Sequence, residues 1–326
     1  MSQSNPTTQS SSDCASPVPS GTVTLVLDAP RQPLTTPPIP MNFRTMQGIP
    51  NISGAAASGS AEFSAQQFQG MLAKIGQLTA GFPLTVVDLR QEPHGFLYLK
   101  QPLNGESEIA VGWFAERDWL NVAKGLASIQ VDEENRLNTA CQTADLTVYN
   151  VLTKTKDEDG ICTATPCPVQ PTGFYKTEET HVQTYPSVSY LRLPTTDHCR
   201  PRDSEVDQFV AFEAALGSDT WLHFHCRAGD GRTTTFMAMH DIIHNAPGDT
   251  LQTILARQKS IGGIDLASPP SPTNQTSFSY PFSVERVEFV QNFYNYVCAA
   301  KPGKFTLTWS DWVTQTMTPK QAVASA

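Results

Sequence analysis

The sequence predicts an α/β fold built on a parallel or mixed central sheet. Three observations predict it. Apolar, strand-like runs alternate with helical patterns from residue 64 to residue 298. One such run, residues 221–226, ends at a cysteine and passes through a glycine-containing loop into a helix. The composition, 39% apolar over 326 residues, is that of a chain able to bury a sizeable core, as one large domain or two modest ones. No internal repeat interrupts this order.

Residues 1–40 stand apart from the rest. They hold 8 of the 25 prolines and 13 Ser or Thr, and only Asp13, Asp28 and Arg31 are charged. Such a stretch buries too little surface to offset its ordering entropy, so residues 1–21 are expected to be a disordered polar segment. The same Ser/Thr/Pro/Gln-rich start resembles the export signals of bacterial type III effectors. On that second reading the protein acts in a host cell, otherwise in the bacterial cytoplasm. No basic stretch precedes an apolar run, so a Sec signal peptide is not expected. Residues 22–27 (TVTLVL) are the exception and read as a strand.

From Ser64, a fitting N-cap, the residues Phe68, Met71, Leu72, Ile75 and Leu78 recur at helical spacing. PLTVVDL at 83–89 reads as a buried strand. Residues 153–180 carry Gly160, Pro166, Pro168 and Pro171 and are expected to be irregular and polar. A strand at 188–193 follows. Residues 204–216 read as a helix with Val206, Phe209, Val210 and Leu216 apolar, and 221–225 as a strand. A helix over 233–244 stops at Asn245-Ala246-Pro247-Gly248. Two more helices are expected near 250–259 and 283–298.

Charge narrows the function classes. There are 22 basic and 31 acidic residues, a net charge of −9, and the pI is near 5.2. This argues against a dedicated nucleic-acid binder, whose phosphate-contacting face is normally basic. Any anion site must rest on local positive charge. No apolar stretch reaches about 18 residues, so no transmembrane helix is expected. Seven scattered cysteines suit a reduced set with one working thiol better than a disulfide framework.

The chemistry concentrates in WLHFHCRAGDGRTT, residues 221–234. A strand end, a tight loop and a helix N-terminus present successive backbone N–H groups, which make an anion cradle. Gly229 and Gly231 permit the turn and a close backbone approach; Ala228 and Asp230 complete the loop. Arg232 suits a two-point grip on phosphate oxygens. Cys226 would sit among the helix dipole, the loop amides and Arg232, surroundings that favour the thiolate. A thiolate beneath a bound phosphate is a nucleophile aimed at phosphorus. Thr233 can donate a hydrogen bond to the sulfur and help it leave in a second step. A rival reading takes His223, His225 and Cys226 as metal ligands. They are too adjacent to converge without a fourth partner, and the glycines would go unexplained.

LHFHCRAGDGRTTT (222–235) resembles the phosphate-binding loop of the protein tyrosine phosphatase superfamily. It is most similar to that of the PTP-like (cysteine) phytases, which dephosphorylate myo-inositol polyphosphates. Further blocks resemble the family in family order: Asn42-Phe43-Arg44-Thr45, Ser58-Gly59-Ser60-Ala61, Val87-Asp88-Leu89-Arg90-Gln91-Glu92 with His94-Gly95, and Glu116-Arg117-Asp118-Trp119 with Asn121. Thr196-Asp197-His198, Ile261-Gly262-Gly263 and the 292–297 segment followed by Trp309 and Trp312 complete the series.

The resemblance covers about residues 22–315 and implies one PTP-like phosphatase domain there, with 316–326 a C-terminal tail. It implies a central mixed sheet flanked by helices. A small β-rich partial barrel would be built from about 22–40 and 145–190. It implies a phosphocysteine at Cys226 and Asp197 as general acid, with His225 as structural support. It also implies Arg44, Asp118, His198 and one of Lys154 or Lys156 along the pocket. Arg227 adds a cation at the loop rim. No metal or cofactor is implied, and the partner is a small inositol polyphosphate.

The sequence departs from the family in one place. Residues 260–300 lack the lysines that hold distal phosphates in these phytases and carry only Arg286 in a Ser/Thr/Pro-rich stretch. Two other functions stay open at this stage: a protein-tyrosine or phosphoinositide phosphatase, and a pseudophosphatase that binds inositol phosphates without turnover. A Cys162–Cys167 disulfide or metal site is a further candidate, as is a redox pairing of Cys199 with Cys226.

Overall fold

The computed structural model describes residues 16–17, 23–29, 38–79, 81, 83–103, 105–115, 119–154, 162–217, 219–270 and 279–316. Its strands, in chain order, are β1 (Ser16–Pro17), β2 (Thr24–Leu27), β3 (Arg44–Thr45), β4 (Ala57–Ala61), β5 (Leu84–Arg90), β6 (His94–Leu103), β7 (Glu106–Phe114), β8 (Leu146–Lys154), β9 (Cys162–Val169), β10 (Pro171–Lys176), β11 (Val188–Thr195) and β12 (Trp221–Cys226). Its helices are α1 (Ala65–Thr79), α2 (Leu126–Gln142), α3 (Glu178–Gln183), α4 (Asp203–Ala215), α5 (Gly231–Asn245), α6 (Leu251–Ser260), α7 (Tyr280–Ala300) and α8 (Trp309–Thr316).

The strands form two mixed sheets. The five-stranded one has the order β11-β5-β12-β4-β3, parallel throughout except for the short antiparallel β3. Along β12 the side chains alternate between its faces. Leu222, Phe224 and Cys226 join a core with Phe209 of α4, Phe236 and Met237 of α5, Phe293 of α7 and Trp309 of α8. Trp221 faces the other way, into a core with Phe68 and Met71 of α1 and Val182 of α3. Each fully buried Phe or Leu contributes about 1.5–3 kcal/mol through the apolar surface it removes from water. α5 lies at the centre of this packing and is buried from Arg232 to Ile243. It approaches β4 closely only because of Gly59, where a Cβ would lie 2.5 Å from Met237 Sδ and 2.7 Å from Thr233 Cγ2.

The second sheet has the order β1-β9-β8-β2-β7-β6-β10 and curls into a half-barrel. α2 packs on it through Leu137, Ala140 and Cys141, against Leu97, Ile109, Val111 and Val148. The sheet draws on 16–17, 24–27, 146–154 and 162–176, and also on the β6–β7 hairpin, a segment that carried no expectation. β11 pairs with β5 in the other sheet.

Helical expectations match to within a few residues. α7 starts earlier, at Tyr280, because Pro281 is suited to a first helical turn, where a missing N–H costs nothing. One expectation fails: residues 162–176 are not irregular but form β9 and β10. Pro166 and Pro168 are tolerated because β1 pairs with β9 only at Thr163 and Ala164. Among the described residues the strand is an edge beyond that point, where no N–H is required. Cys167, Cys199 and Cys226 are free thiols, so neither the Cys162–Cys167 disulfide nor a Cys199–Cys226 disulfide is present.

Candidate active site

Because β4, β5, β12 and β11 run parallel, their carboxyl ends converge on one edge, the usual position of a ligand cleft in such sheets. These ends carry Glu62, Glu92, Cys226 and Asp197. Cys226 is buried, and the loop that follows folds over it into α5. Gly229 takes a left-handed φ of +76°, and a Cβ there would lie 2.4 Å from the backbone nitrogen of Ala61. Both facts require glycine. Gly231 has a different reason: a Cβ there would meet the Arg286 guanidinium at 2.8 Å. Thr233 Oγ1 donates to Cys226 Sγ at 3.2 Å.

Arg232 is held by a fork. Its Nη1 and Nη2 donate to the two oxygens of Glu92 at 2.8 and 2.9 Å, and Nη1 also donates to the Thr195 carbonyl at 3.1 Å. Nη2 lies 3.2 Å from Asp197 Oδ1. Its Nε is buried without a hydrogen-bond partner, so one donor of this fixed fork is left for an anion. Burial alone would raise the pKa of Glu92, but Arg232 and Arg90 hold it well below the usual carboxylate range.

Asp197 sits on the loop after β11. Trp119 Nε1 donates to its carbonyl at 3.0 Å, and Thr196 Oγ1 donates to Gln91 Oε1 at 2.8 Å. His198 Nε2 lies 3.2 Å from Asp197 Oδ2.

Beneath the loop lies a buried ion network. Arg90 contacts Asp28 and Glu62 at 2.8 Å and Glu92 at 3.0 Å. Arg192 contacts Glu133 at 2.8 Å and Asp88 at 3.0 Å. His225, directly before the cysteine, places Nε2 2.8 Å from Glu178 Oε1. Burial opposes a charge on His225, yet Glu178 and Glu62 raise its pKa to about 9. Burial and Glu178 push Glu62 up to about 7, against the pull of His225 and Arg90.

A model of the PTP-like phytase family, described by the words inositol hexakisphosphate, matches residues 87–244, the span from β5 to α5. The solved structure of a PTP-like phytase from Bdellovibrio bacteriovorus is 33% identical. It superposes with a TM-score of 0.66 over 91% of this chain and 97% of that one. The chain belongs to the PTP-like phytase family. A PTP-like myo-inositol phosphatase from Mitsuokella multacida, solved with myo-inositol-(1,3,4,5)-tetrakisphosphate, is 31% identical. Its TM-score is 0.73, covering 90% of this chain and 49% of that one. A Pseudomonas syringae pv. tomato protein named effector protein hopD2 is 27% identical over 255 residues, 76% of this chain and 49% of the relative. The chain thus spans about half the length of the Mitsuokella and Pseudomonas proteins.

In this chain the expected residues do not all converge. Cys226, Arg232, Thr233 and the 228–231 loop do, and Asp197 with His198 closes against them. Arg44 reaches the loop from behind. It is buried, and it donates to the Gly229 carbonyl at 2.8 Å and to Thr234 Oγ1 at 3.0 Å, so it braces the loop. Arg227 points away: its Nε lies 3.1 Å from Asp28 and its guanidinium stacks over the Phe114 ring at 5.2 Å. That corrects its expected place at the loop rim and makes it a tie to the half-barrel. Asn42 Nδ2 donates to the Ala228 carbonyl at 2.8 Å and to Asp230 Oδ1 at 3.2 Å. Lys154 ends β8, and Asp118 and Lys156 lie outside the described residues, as do 1–15 and 317–326.

Sequence reasoning missed Glu92 and Glu178 as individual groups and gave Arg286 no role beyond a leftover charge. Glu92 lay within a quoted family block, and the signal was its charge at the end of an apolar strand. Among the described residues, three groups could bring ligand atoms to one metal ion: Glu62-Glu178-His225, Asp88-His94-Glu178 and Glu213-His240-His244. The first two belong to the buried network. In the third, His240 Nδ1 pairs with Glu213 Oε1 at 2.7 Å and His240 Nε2 with the Gly54 carbonyl at 2.8 Å. Ion pairing accounts for all three.

Two outcomes follow for stability. Glu92→Ala leaves the buried Arg232 with only the partly exposed Asp197 as counter-charge, a loss of about 3–5 kcal/mol in urea unfolding; a change below about 1 kcal/mol contradicts the fork. The folded pKa of His225 stands above its ordinary 6.5, so its contribution is full below about pH 6.5 and is lost as pH rises through about 9. Unfolding free energy therefore falls across that window, and His225→Gln flattens the fall. An unchanged slope in the variant removes His225 from this role.

Proposed function

We propose that the protein is a cysteine-dependent phosphatase that removes phosphates from myo-inositol polyphosphates, phytate foremost, through a phosphocysteine at Cys226. The observation that carries this reading is the convergence of a buried cysteine, an oriented arginine with a spare donor, and an aspartate at 3.2 Å from that arginine. Family membership and the inositol tetrakisphosphate named with the Mitsuokella structure support the substrate class.

A phosphate in the loop accepts from the amides of 227–232 and from Arg232, at the N-terminus of α5. The Cys226 thiolate attacks phosphorus in line, forming the S–P bond as the P–O bond to the inositol carbon breaks. Asp197, protonated in this step, gives its proton to the leaving alkoxide. As a carboxylate it then takes a proton from water, whose oxygen attacks phosphorus and expels the sulfur. The Thr233 hydroxyl stabilises the departing sulfur. The products are inorganic phosphate and the inositol with one phosphate fewer. The single domain of about 22–315 is part of this reading. So is delivery into a host cell, which the name of the Pseudomonas relative supports.

Cys226→Ser abolishes phosphate release from inositol hexakisphosphate in a phosphate-release assay. Asp197→Asn lowers kcat on the same substrate by about 10²–10⁴-fold and retains binding. Full activity of the serine variant, or faster release from a phosphotyrosine peptide than from inositol hexakisphosphate, overturns the reading.

A further inference from the structure

Arg286 is the one cation that residues 260–300 retain, and the structure turns it inward. It projects from the first half of α7, and only 6% of it is exposed. Its Nη2 donates to the carbonyls of His198 and Cys199, the latter at 3.4 Å. These are the two peptide carbonyls directly after Asp197. Its guanidinium packs on Gly231 so closely that a Cβ there would lie 2.8 Å from Nη1 and would displace it. Its Nε is buried without a hydrogen-bond partner. Arg286 therefore bridges the loop that binds the anion and the loop that carries the acid.

We infer that Arg286 is a positioning residue that latches the Asp197 loop over the phosphate-binding loop. The inference rests on the functional reading above. A planar guanidinium pre-organises several donors at little entropic cost, which suits a clasp on adjacent carbonyls. Trp119, which donates to the Asp197 carbonyl and packs edge-on against Phe282 of α7 at 5.3 Å, makes a second point of attachment. Together they fix a loop whose His198 holds a left-handed φ of +64°, a conformation that needs outside support. Burial lowers the pKa of Arg286, and the nearby charges of Asp197 and Cys226 raise it, consistent with a cation wedged between the two reacting groups. The latch acts through Asp197, not on the substrate. A misplacement of about 1 Å at a proton donor is enough to cost a large part of its catalytic effect.

The test compares two leaving groups. Inositol hexakisphosphate expels an alkoxide and needs the acid; p-nitrophenyl phosphate expels a stable phenolate and needs it far less. In Arg286→Met, kcat on inositol hexakisphosphate falls about 10- to 100-fold, part of the 10²–10⁴ that a positioned acid supplies. KM changes little, and kcat on p-nitrophenyl phosphate falls less than about 3-fold on the same grounds. Arg286→Lys, which keeps one donor and the charge, recovers part of the loss and serves if the methionine variant does not fold. Equal losses on both substrates, or a rise in KM with kcat intact, overturn the latch, because a structural or substrate-binding arginine gives those patterns. Wild-type protein inactive on both substrates overturns the phosphatase reading itself. Wild-type activity with an unmoved ratio in both variants overturns only the latch.

Discussion

The Arg232–Glu92 fork is the interaction on which the site depends. A guanidinium at the carboxyl edge of a parallel sheet is buried, and its two terminal nitrogens are spoken for by one carboxylate. That leaves Nε and the adjacent loop amides to define where an anion sits. Burying such a pair carries a desolvation cost that Coulomb attraction only roughly offsets. The pair is therefore better understood as a device for aim than as a source of stability. Glu92 is itself held by Arg90, and Arg90 by Asp28 and Glu62. The direction of Arg232 is thus fixed through a chain of charged contacts that crosses from the central sheet to the half-barrel.

On the proposed function, this network lets a chain with a net charge of −9 receive a polyanion. Most of the buried positive charge is paired within the protein and contributes orientation. The local field comes from a helix N-terminus, a spare Arg232 donor and Arg286. Arg44 and Arg227, both near the loop in sequence or space, serve its shape. One grips the Gly229 carbonyl from behind, and the other anchors the loop to Asp28 beside β2. The half-barrel is therefore more than an appendage, since its Asp28 takes part in positioning Arg227, the residue next to Cys226.

What could be read in the sequence follows the range of the interactions. Cys226, Arg232 and Thr233 lie within one strand–loop–helix unit, so the strand end, the loop glycines and the helix start announced them together. Asp197 entered through a short family block on a loop. Glu92 and Arg286 act on residues 140 and 88 positions away, at Arg232 and His198, and no local pattern could show those pairs. Arg286 was visible only as a leftover charge in a stretch without lysines. The β6–β7 hairpin and α2 escaped because their partners beyond the hairpin come from distant β2 and β10. Residues 162–176 looked irregular because Pro166 and Pro168 break strand propensity, and only the open edge of β9 makes them acceptable. Arg227 was misplaced for a simpler reason: adjacency to Cys226 says nothing about which way a side chain points.

Placing the covalent bond on sulfur is the central claim, and it can be observed directly. The protein turning over p-nitrophenyl phosphate is quenched in acid within its first turnover, digested, and the Cys226 peptide analysed by mass. One phosphate on the Cys226 sulfur, absent in Cys226→Ser, is the predicted result. Phosphate on another side chain, or full turnover with none ever trapped on Cys226, contradicts it.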